Sequence, residues 1–300
     1  MNPAAGGRRA LRAVPAIRAA LRDRMAAADL VFSQGPGNAA ELAYQGARAG
    51  YAPIVGVGGD GTLQEVVNGL LRVPHPPPLG IVPVGTGNDF ARGLALPATV
   101  EEAVCRIHEG AIGAVDVARC GIRYYLNVGG AGFDAQVAAA VNGRRWRWLQ
   151  GPFPYLLCVL QELWRYTNQE LVLHLDGHTL HRRALLVAVA NGPFAAGGMR
   201  ICPQAVPTDG LLDVCIVGDV ARREVLALLP RVFTGGHARH PKVEFYRART
   251  VQIEGPAQVR VHVDGESVGH LPGEFHIVPG GLRVIGVGSG HAAPTPQRKE

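Results

Sequence analysis

Two glycine-rich turns, each ending in aspartate, carry most of the chemistry this sequence can do. The first, Gly58-Gly59-Asp60-Gly61-Thr62, follows the apolar run Pro53-Ile54-Val55-Gly56-Val57. The second, Gly85-Thr86-Gly87-Asn88-Asp89, follows Gly80-Ile81-Val82-Pro83-Val84. Glycine lets backbone N–H groups close on a phosphate without Cβ clashes, and a helix start behind the turn adds unpaired donors and the positive end of its dipole. Asp60 alone would repel a phosphate. Its presence implies either a Mg²⁺ ion between the two or a hydrogen bond accepted from a ribose or substrate hydroxyl. Thr62 either caps the helix or touches phosphate. The plainer alternative is a strand–turn–helix with Asp60 and Thr62 as caps. Two such turns at consecutive strand ends weigh against it, because adjacent strand ends of an open parallel sheet converge on one crevice. No Lys follows the glycines, so neither turn is a Walker A loop or a GxGxxG fingerprint. Further on, Asp264-Gly265-Glu266 closes an apolar run. Its carboxylates could orient or deprotonate an attacking hydroxyl, although Asp-Gly is equally the mark of a tight hairpin with solvated acids.

The elements that must position these residues fall into two domains, as 300 residues at 47% hydrophobic and 18% charged content suggest for a folded chain. Residues 1–118 alternate helix and strand patterns. Helices are expected over 10–27, 38–49, 62–71 and 99–109, with a short one at Asp89. Strands are expected at Leu30-Val31-Phe32, 53–57 and 80–84. That alternation predicts an open, Rossmann-like parallel sheet with helices on both faces. Composition shifts near residues 115–122. Across 119–287 the short segments 124–128, 171–176, 184–190, 212–217, 250–254 and 259–264 predict an antiparallel β-sandwich, with helices over 155–166 and 222–233. Residues 288–300 are polar, carry Pro294 and Pro296, and read as a disordered tail.

Net charge is +6, but no Lys/Arg run exceeds two residues before the tail, so a nucleic-acid partner is not expected. The five cysteines are scattered with no CxxC pair, as reduced cytoplasmic thiols are. The N-terminal residues lack the apolar core of a signal peptide, and no apolar run is long enough to cross a bilayer. The expectation is a soluble cytoplasmic protein that visits a membrane surface. Trp146 and the aromatic, Leu-rich stretch to Tyr166, with Arg144, Arg145, Arg147 and Arg165, either docks on an anionic membrane or packs as a helix on the second domain; packing is favoured.

At these motifs the sequence resembles the diacylglycerol kinase-like lipid kinases, the group of bacterial diacylglycerol kinases, related phosphatidylglycerol kinases and sphingosine kinases. The resemblance covers nearly the whole chain. In order it rests on Asn2-Pro3-Ala4-Ala5-Gly6, the turn and helix of 58–65, and Gly85-Thr86-Gly87-Asn88-Asp89-Phe90-Ala91-Arg92. It continues through Asn127-Val128-Gly129-Gly130-Ala131-Gly132-Phe133-Asp134, Pro207-Thr208-Asp209-Gly210-Leu211-Leu212-Asp213 and Val263-Asp264-Gly265-Glu266. It implies a first domain of the NAD kinase and diacylglycerol kinase type. Asn2, Pro3, Ala4, Ala5 and Gly6 then form the first nucleotide loop, with Ser33 beside the nucleotide. Gly59, Asp60, Gly61, Thr62, Leu63, Gln64 and Glu65 form the central ATP-phosphate turn, and Thr86 is a further ATP contact. Asp60 and Asp89 become the acidic pair associated with catalytic Mg²⁺. The carbonyls of Val206 and Leu211, with Asp209, become a structural Mg²⁺ site. Glu266, with Asp264 beside it, becomes the general base. One departure stands out. The family carries an apolar strand directly before its Asn-Pro motif, and here only Met1 precedes Asn2, so either the start lies upstream of Met1, which is the expectation, or that strand is missing.

Three functions compete. In the first, ATP phosphorylates a hydroxyl of diacylglycerol or a similar lipid in a cleft between the domains. The second, a soluble-substrate kinase of the NAD kinase type, shares the Gly-Gly-Asp-Gly turn but needs downstream nucleotide motifs that this sequence lacks. The third, a regulator that has lost catalysis, is disfavoured because Asp60, Asp89, Asp264 and Glu266 are all present. A homodimer is left open.

Overall fold

The computed structural model describes residues 1–24, 28–143 and 153–288. The end of the helix expected over 10–27, the Arg144-Arg145-Trp146-Arg147 stretch and the tail from 289 lie outside the described residues.

Apart from Leu30-Val31-Phe32, the first half of the chain winds as its pattern predicts. Helices α1 (Ala5–Arg24), α2 (Asn38–Arg48), α3 (Asp60–Leu70), α4 (Asp89–Gly93) and α5 (Val100–Glu109) surround strands β1 (Ile54–Gly58) and β2 (Leu79–Pro83). The strands pair in parallel from Ile54↔Leu79 to Gly58↔Pro83. Strands covered on both faces must be apolar throughout, and β2 is buried at every residue. Ala39, Ala43, Leu63 and Val67 of α2 and α3 pack on one face with Leu79 and Ile81. Ala10, Ile17, Val104 and Ile107 of α1 and α5 pack on the other with Val57 and Val82. Helix α5 opens behind Thr99, whose Oγ1 accepts from the Glu102 N–H at 3.3 Å.

The second half is built of β3 (Ile112–Cys120), β4 (Arg123–Tyr125), β5 (Val128–Gly132), β6 (Gln169–Leu175), β7 (His178–Ala184), β8 (Leu186–Ala190), β9 (Leu212–Val217), β10 (Val243–Ala248), β11 (Thr250–Glu254), β12 (Arg260–Val263), β13 (Glu266–His270) and β14 (Gly273–Ile285). Helices α6 (Phe133–Gly143), α7 (Phe153–Arg165) and α8 (Arg222–Val232) interrupt it. One six-stranded sheet, β10-β9-β8-β5-β12-β13, is antiparallel throughout. It packs on the other sheet through Val187, Val214, Val261, Leu173, Val251 and Phe275.

That other sheet departs from the sequence reading. Its order is β1-β2-β14-β11-β6-β7, with β3 on β14 and β4 on β3, so parallel and antiparallel strands share one eight-stranded sheet. β14 runs antiparallel to β3, breaks register between Val278 and Leu282 at Pro279-Gly280-Gly281, and ends parallel beside β2 at Val284↔Leu79. The segment expected as one strand over 124–128 is broken, because the amides of Leu126, Asn127 and Val128 serve a carboxylate instead of a ladder. Leu30-Val31-Phe32 forms no strand. Its bonds go to Met1, whose amine donates to the Val31 carbonyl at 3.0 Å and whose carbonyl accepts from the Ser33 N–H at 2.8 Å. Two bonds are too short a ladder to define a strand.

Candidate active site

The two glycine turns touch. A Cβ on Gly85 would lie 2.3 Å from Gly59 Cα, and one on Gly59 would lie 3.0 Å from Gly85 Cα. Only glycine at both positions allows this approach. Asn88, at φ 54° ahead of α4, closes the second turn: its Oδ1 accepts from the Gly85 N–H at 2.9 Å. Gly59 is the N-cap of α3 with no side-chain cap, so Asp60 and Thr62 are not spent as caps, and their side chains are turned to other partners.

Those partners knit the site. Asn2 Nδ2 donates to Thr62 Oγ1 at 3.0 Å, while Asn2 Oδ1 accepts from the Ala4 N–H at 3.0 Å. The Asn2 N–H donates to the Val57 carbonyl at 3.1 Å, which seats residues 1–6 at the end of β1. Gly6, at φ 59°, comes so near the second turn that a Cβ would stand 2.2 Å from the Val84 carbonyl oxygen. Ser33 is buried against Met1, its Oγ 3.4 Å from the Met1 carbonyl. Pro3 and Ala5 are half-buried and Ala4 exposed. Asn2 thus joins Thr62 at the end of β1, Gly6 abuts the second turn, and Ser33 is tied in through Met1.

Asp60 Oδ1 accepts from the Phe90 N–H at 3.0 Å. A Cβ on Gly87 would stand 2.9 Å from Asp60 Oδ2, 3.2 Å from Gly197 Cα and 3.5 Å from Asp89 Oδ2. Asp89 is buried, with Oδ1 on Arg92 at 2.7 Å and Oδ2 accepting from the Gly197 N–H at 2.7 Å. Burial pushes the Asp89 carboxyl above its ordinary range and the Asp60 charge adds to this, against the Gly197 amide and Arg92. Thr86 and Gly61 are exposed at the mouth of the turns. Leu63 is fully buried, and Glu65 Oε2 accepts from the Ala39 N–H at 3.1 Å, so these two hold α3 in place.

Gln64 crosses to the second domain, donating from Nε2 to the Val263 carbonyl at 3.5 Å. There β12 and β13 meet in a two-residue hairpin, Asp264 at φ 46° and Gly265 at φ 83°, the geometry that Asp-Gly favours. Asp264 is not a solvated turn acid. Its Oδ2 accepts from the Leu126 N–H at 2.8 Å, and its Oδ1 from the Asn127 and Val128 N–H groups at 3.0 Å each. Burial nonetheless pushes its carboxyl up to about 6, against those amides and helped by the Asp60 charge. Glu266, next on the strand, is exposed. Asp60 thus lies beside Asp89 and within electrostatic reach of Asp264, in the hairpin that carries Glu266.

Among the described residues no cluster of three or more His, Cys, Asp or Glu could hold a metal by protein groups alone. Two adjacent carboxylates beside glycine turns still fit a hard cation that takes its remaining ligands from phosphate and water, as Mg²⁺ does. Val206, Asp209 and Leu211 form a separate tight turn. Asp209 Oδ1 accepts from the Leu211 N–H at 3.1 Å, and the Val206 carbonyl from the Thr208 N–H at 2.8 Å. Burial raises the Asp209 carboxyl, which lies 3.9 Å from Arg247. Its donors are all oxygen, again the choice of a hard cation.

Sequence reasoning passed over Asp116. Buried in β3, it accepts from the Gly210 and Gly280 N–H groups at 2.7 Å each, fixing the 206–211 turn to the kink in β14. A lone acid between Val115 and Val117 was the available signal. Arg92 ends the second motif and Gly197 lies in the glycine loop 191–198, but nothing local marks either as a partner of Asp89, least of all a backbone amide 108 residues away.

Comparison with known proteins identifies the family and the fold. Residues 1–120 match the diacylglycerol kinase catalytic domain, and residues 127–286 match the YegS C-terminal NAD kinase beta sandwich-like domain. A diacylglycerol kinase of Staphylococcus saprophyticus is 30% identical over 274 residues, 91% of this chain and 90% of the relative. One from Staphylococcus haemolyticus is 31% identical over 91% of this chain and 83% of its own. The crystal structure of a diacylglycerol kinase from Bacillus anthracis shares the fold at TM-score 0.70 and 24% identity, covering 95% of this chain and 94% of that one. A second structure from that organism reaches 0.79 at 24% identity. Two family models tile the chain, a kinase catalytic domain followed by a β-sandwich-like domain. The chain belongs to the diacylglycerol kinase family, and it is an enzyme of the lipid-kinase class.

Proposed function

We propose that this kinase transfers the γ-phosphoryl group of ATP, with Mg²⁺, to a hydroxyl of diacylglycerol or a closely related lipid. The observation that carries the reading is the abutment of two glycine turns that set Asp60 beside Asp89, with Asp60 in electrostatic reach of Asp264 in the hairpin bearing Glu266. Phosphoryl transfer asks a protein mainly for positioning and charge neutralisation. The backbone of 59–61 and 85–87, with residues 2–6 and Thr62, would cradle the phosphates. Asp60 and Asp89 would hold Mg²⁺, which when bound neutralises phosphate charge. Glu266 would take the proton of the attacking lipid hydroxyl. A second cation on Val206, Asp209 and Leu211 would stiffen the far side of the cleft.

Acceptors of this class reside in membranes. No helix among the described residues is long and apolar enough to cross one. Exposed Trp164, Leu226 and Phe233, with Arg222 against the Trp164 ring at 5.4 Å, offer the mixed apolar and basic groups that an anionic surface takes up, supporting peripheral contact from the cytoplasm. The test is transfer from labelled ATP with Mg²⁺ to diacylglycerol, phosphatidylglycerol or sphingosine in mixed micelles, and to NAD in solution. A labelled lipid is the expected product. Labelled NADP, or no lipid product from a chain that binds ATP, would overturn the reading.

A further inference from the structure

Segment 126–134 acts on the β12–β13 hairpin twice, and the proposed function uses only the first action, the amides that hold Asp264. Its last residue, Asp134, holds something else. Asp134 Oδ2 lies 3.0 Å from His262 Nε2, and His262 Nδ1 accepts the Gly265 N–H at 3.3 Å. The second contact fixes the tautomer: a ring nitrogen that accepts from a backbone amide carries no proton, so Nε2 carries it and donates to Asp134. Gly265 immediately precedes Glu266, so His262 clamps the Asp264–Gly265 peptide, one residue ahead of the Glu266 side chain.

The sheet is shaped for this clamp. Val261 and Val263 enter the sandwich core, while His262 is buried on the opposite side of β12. Register shifts between Val261 and His262, the kind of irregularity that re-aims a side chain beside an active site. Opposite His262 stands Gly130, where a Cβ would lie 3.1 Å from Asp134 Oδ2 and 2.3 Å from the Val187 carbonyl oxygen. A buried imidazole is costly unless both nitrogens are bonded, and here both are. We propose that His262, held by Asp134, is a positioning residue that fixes the Asp264–Gly265 peptide, and through Gly265 the placement of Glu266, for proton removal from the acceptor hydroxyl. This rests on the reading of Glu266 as the base.

The experiment measures kcat and both KM values for His262→Ala, His262→Asn, His262→Gln and Asp134→Asn, alone and combined with Glu266→Gln. Asparagine sets an amide oxygen where Nδ1 stands and keeps an acceptor for Gly265; glutamine keeps only a donor for Asp134. His262→Ala and His262→Gln should lose roughly 10²-fold in kcat with each KM within about twofold, and His262→Asn should recover most of the rate. In the Glu266→Gln background none should lower the residual rate further. Equal losses in the Asn and Gln variants, a raised acceptor KM as the main effect, or additive losses with Glu266→Gln would overturn the proposal. Wild-type turnover in Glu266→Gln sinks the base assignment and the clamp with it, whereas an active His262→Ala beside an inactive Glu266→Gln sinks the clamp alone. Imidazole ¹⁵N shifts of the wild-type protein read the tautomer without turnover, and a proton found on Nδ1 would refute the clamp directly.

Discussion

Replacing Gly85 by alanine should separate the two turns that build the phosphate cradle. The added Cβ would start 2.3 Å from Gly59 Cα and 2.7 Å from Asn88 Oδ1, whereas ordinary contacts run from 3.4 to 4 Å. Asn88 can swing away, but Gly59 Cα is backbone, so the turns must part by roughly 1 Å. Overpacking of this size costs about 1–3 kcal/mol, or about 2–4 °C in Tm for each kcal/mol. A reacting group misplaced by about 1 Å can lose on the order of 10²-fold in rate. Gly85→Ala should therefore fold, melt a few degrees early and transfer phosphate roughly a hundredfold more slowly. The assay pairs a melting curve with transfer from labelled ATP to the lipid acceptor. Gly61→Ala is the control for stability, since a Cβ there meets nothing within 4 Å, and its Tm should match or slightly exceed that of the parent. Full kcat with an unshifted Tm in Gly85→Ala would refute the steric argument.

Glu266→Gln should lower kcat by about 10²–10⁴-fold while Tm holds, because the side chain is exposed; comparable turnover would remove it as the base. The Asp264 carboxyl, raised from 3.8 to about 6, is protonated at mildly acidic pH and then gives up an acceptor for the amides of 126–128, so activity should climb with pH through about 6. Folding stability should run the other way: a raised carboxyl contributes fully below 3.8 and loses that contribution as pH rises through about 6. Asp264→Asn should flatten both profiles, and an unchanged acid limb would show that another group controls it. Asp209→Ala should abolish most of any Tm gain on adding Mg²⁺; the same gain in the variant would count against a cation at the 206–211 turn.

Strands β1 and β2, the helices behind them, the two glycine turns and the Asp-Gly hairpin were legible because each is written in contiguous residues: apolar runs, turn-forming pairs, helix starts. The order of motifs likewise pointed to the family without a fold. What was not legible depends on partners far away in the chain. The strand expected through Leu126-Asn127-Val128 is interrupted by Asp264, 138 to 136 positions later. Val128–Gly132, poor in β-formers, is a central strand between β8 and β12, and glycine is needed at 130 there because a Cβ would collide with the Val187 carbonyl. β14 joins the first sheet although the sequence offers it no sign of belonging there, since a strand's neighbour is chosen by which edge is open and apolar after collapse. Residue types alone assigned acids to the site. Tertiary structure decided that Asp264 is held by three amides, that Asp89 is shared between Arg92 and Gly197, and that His262 stands between Asp134 and the Gly265 amide, because hydrogen bonding and burial are properties of neighbours in space.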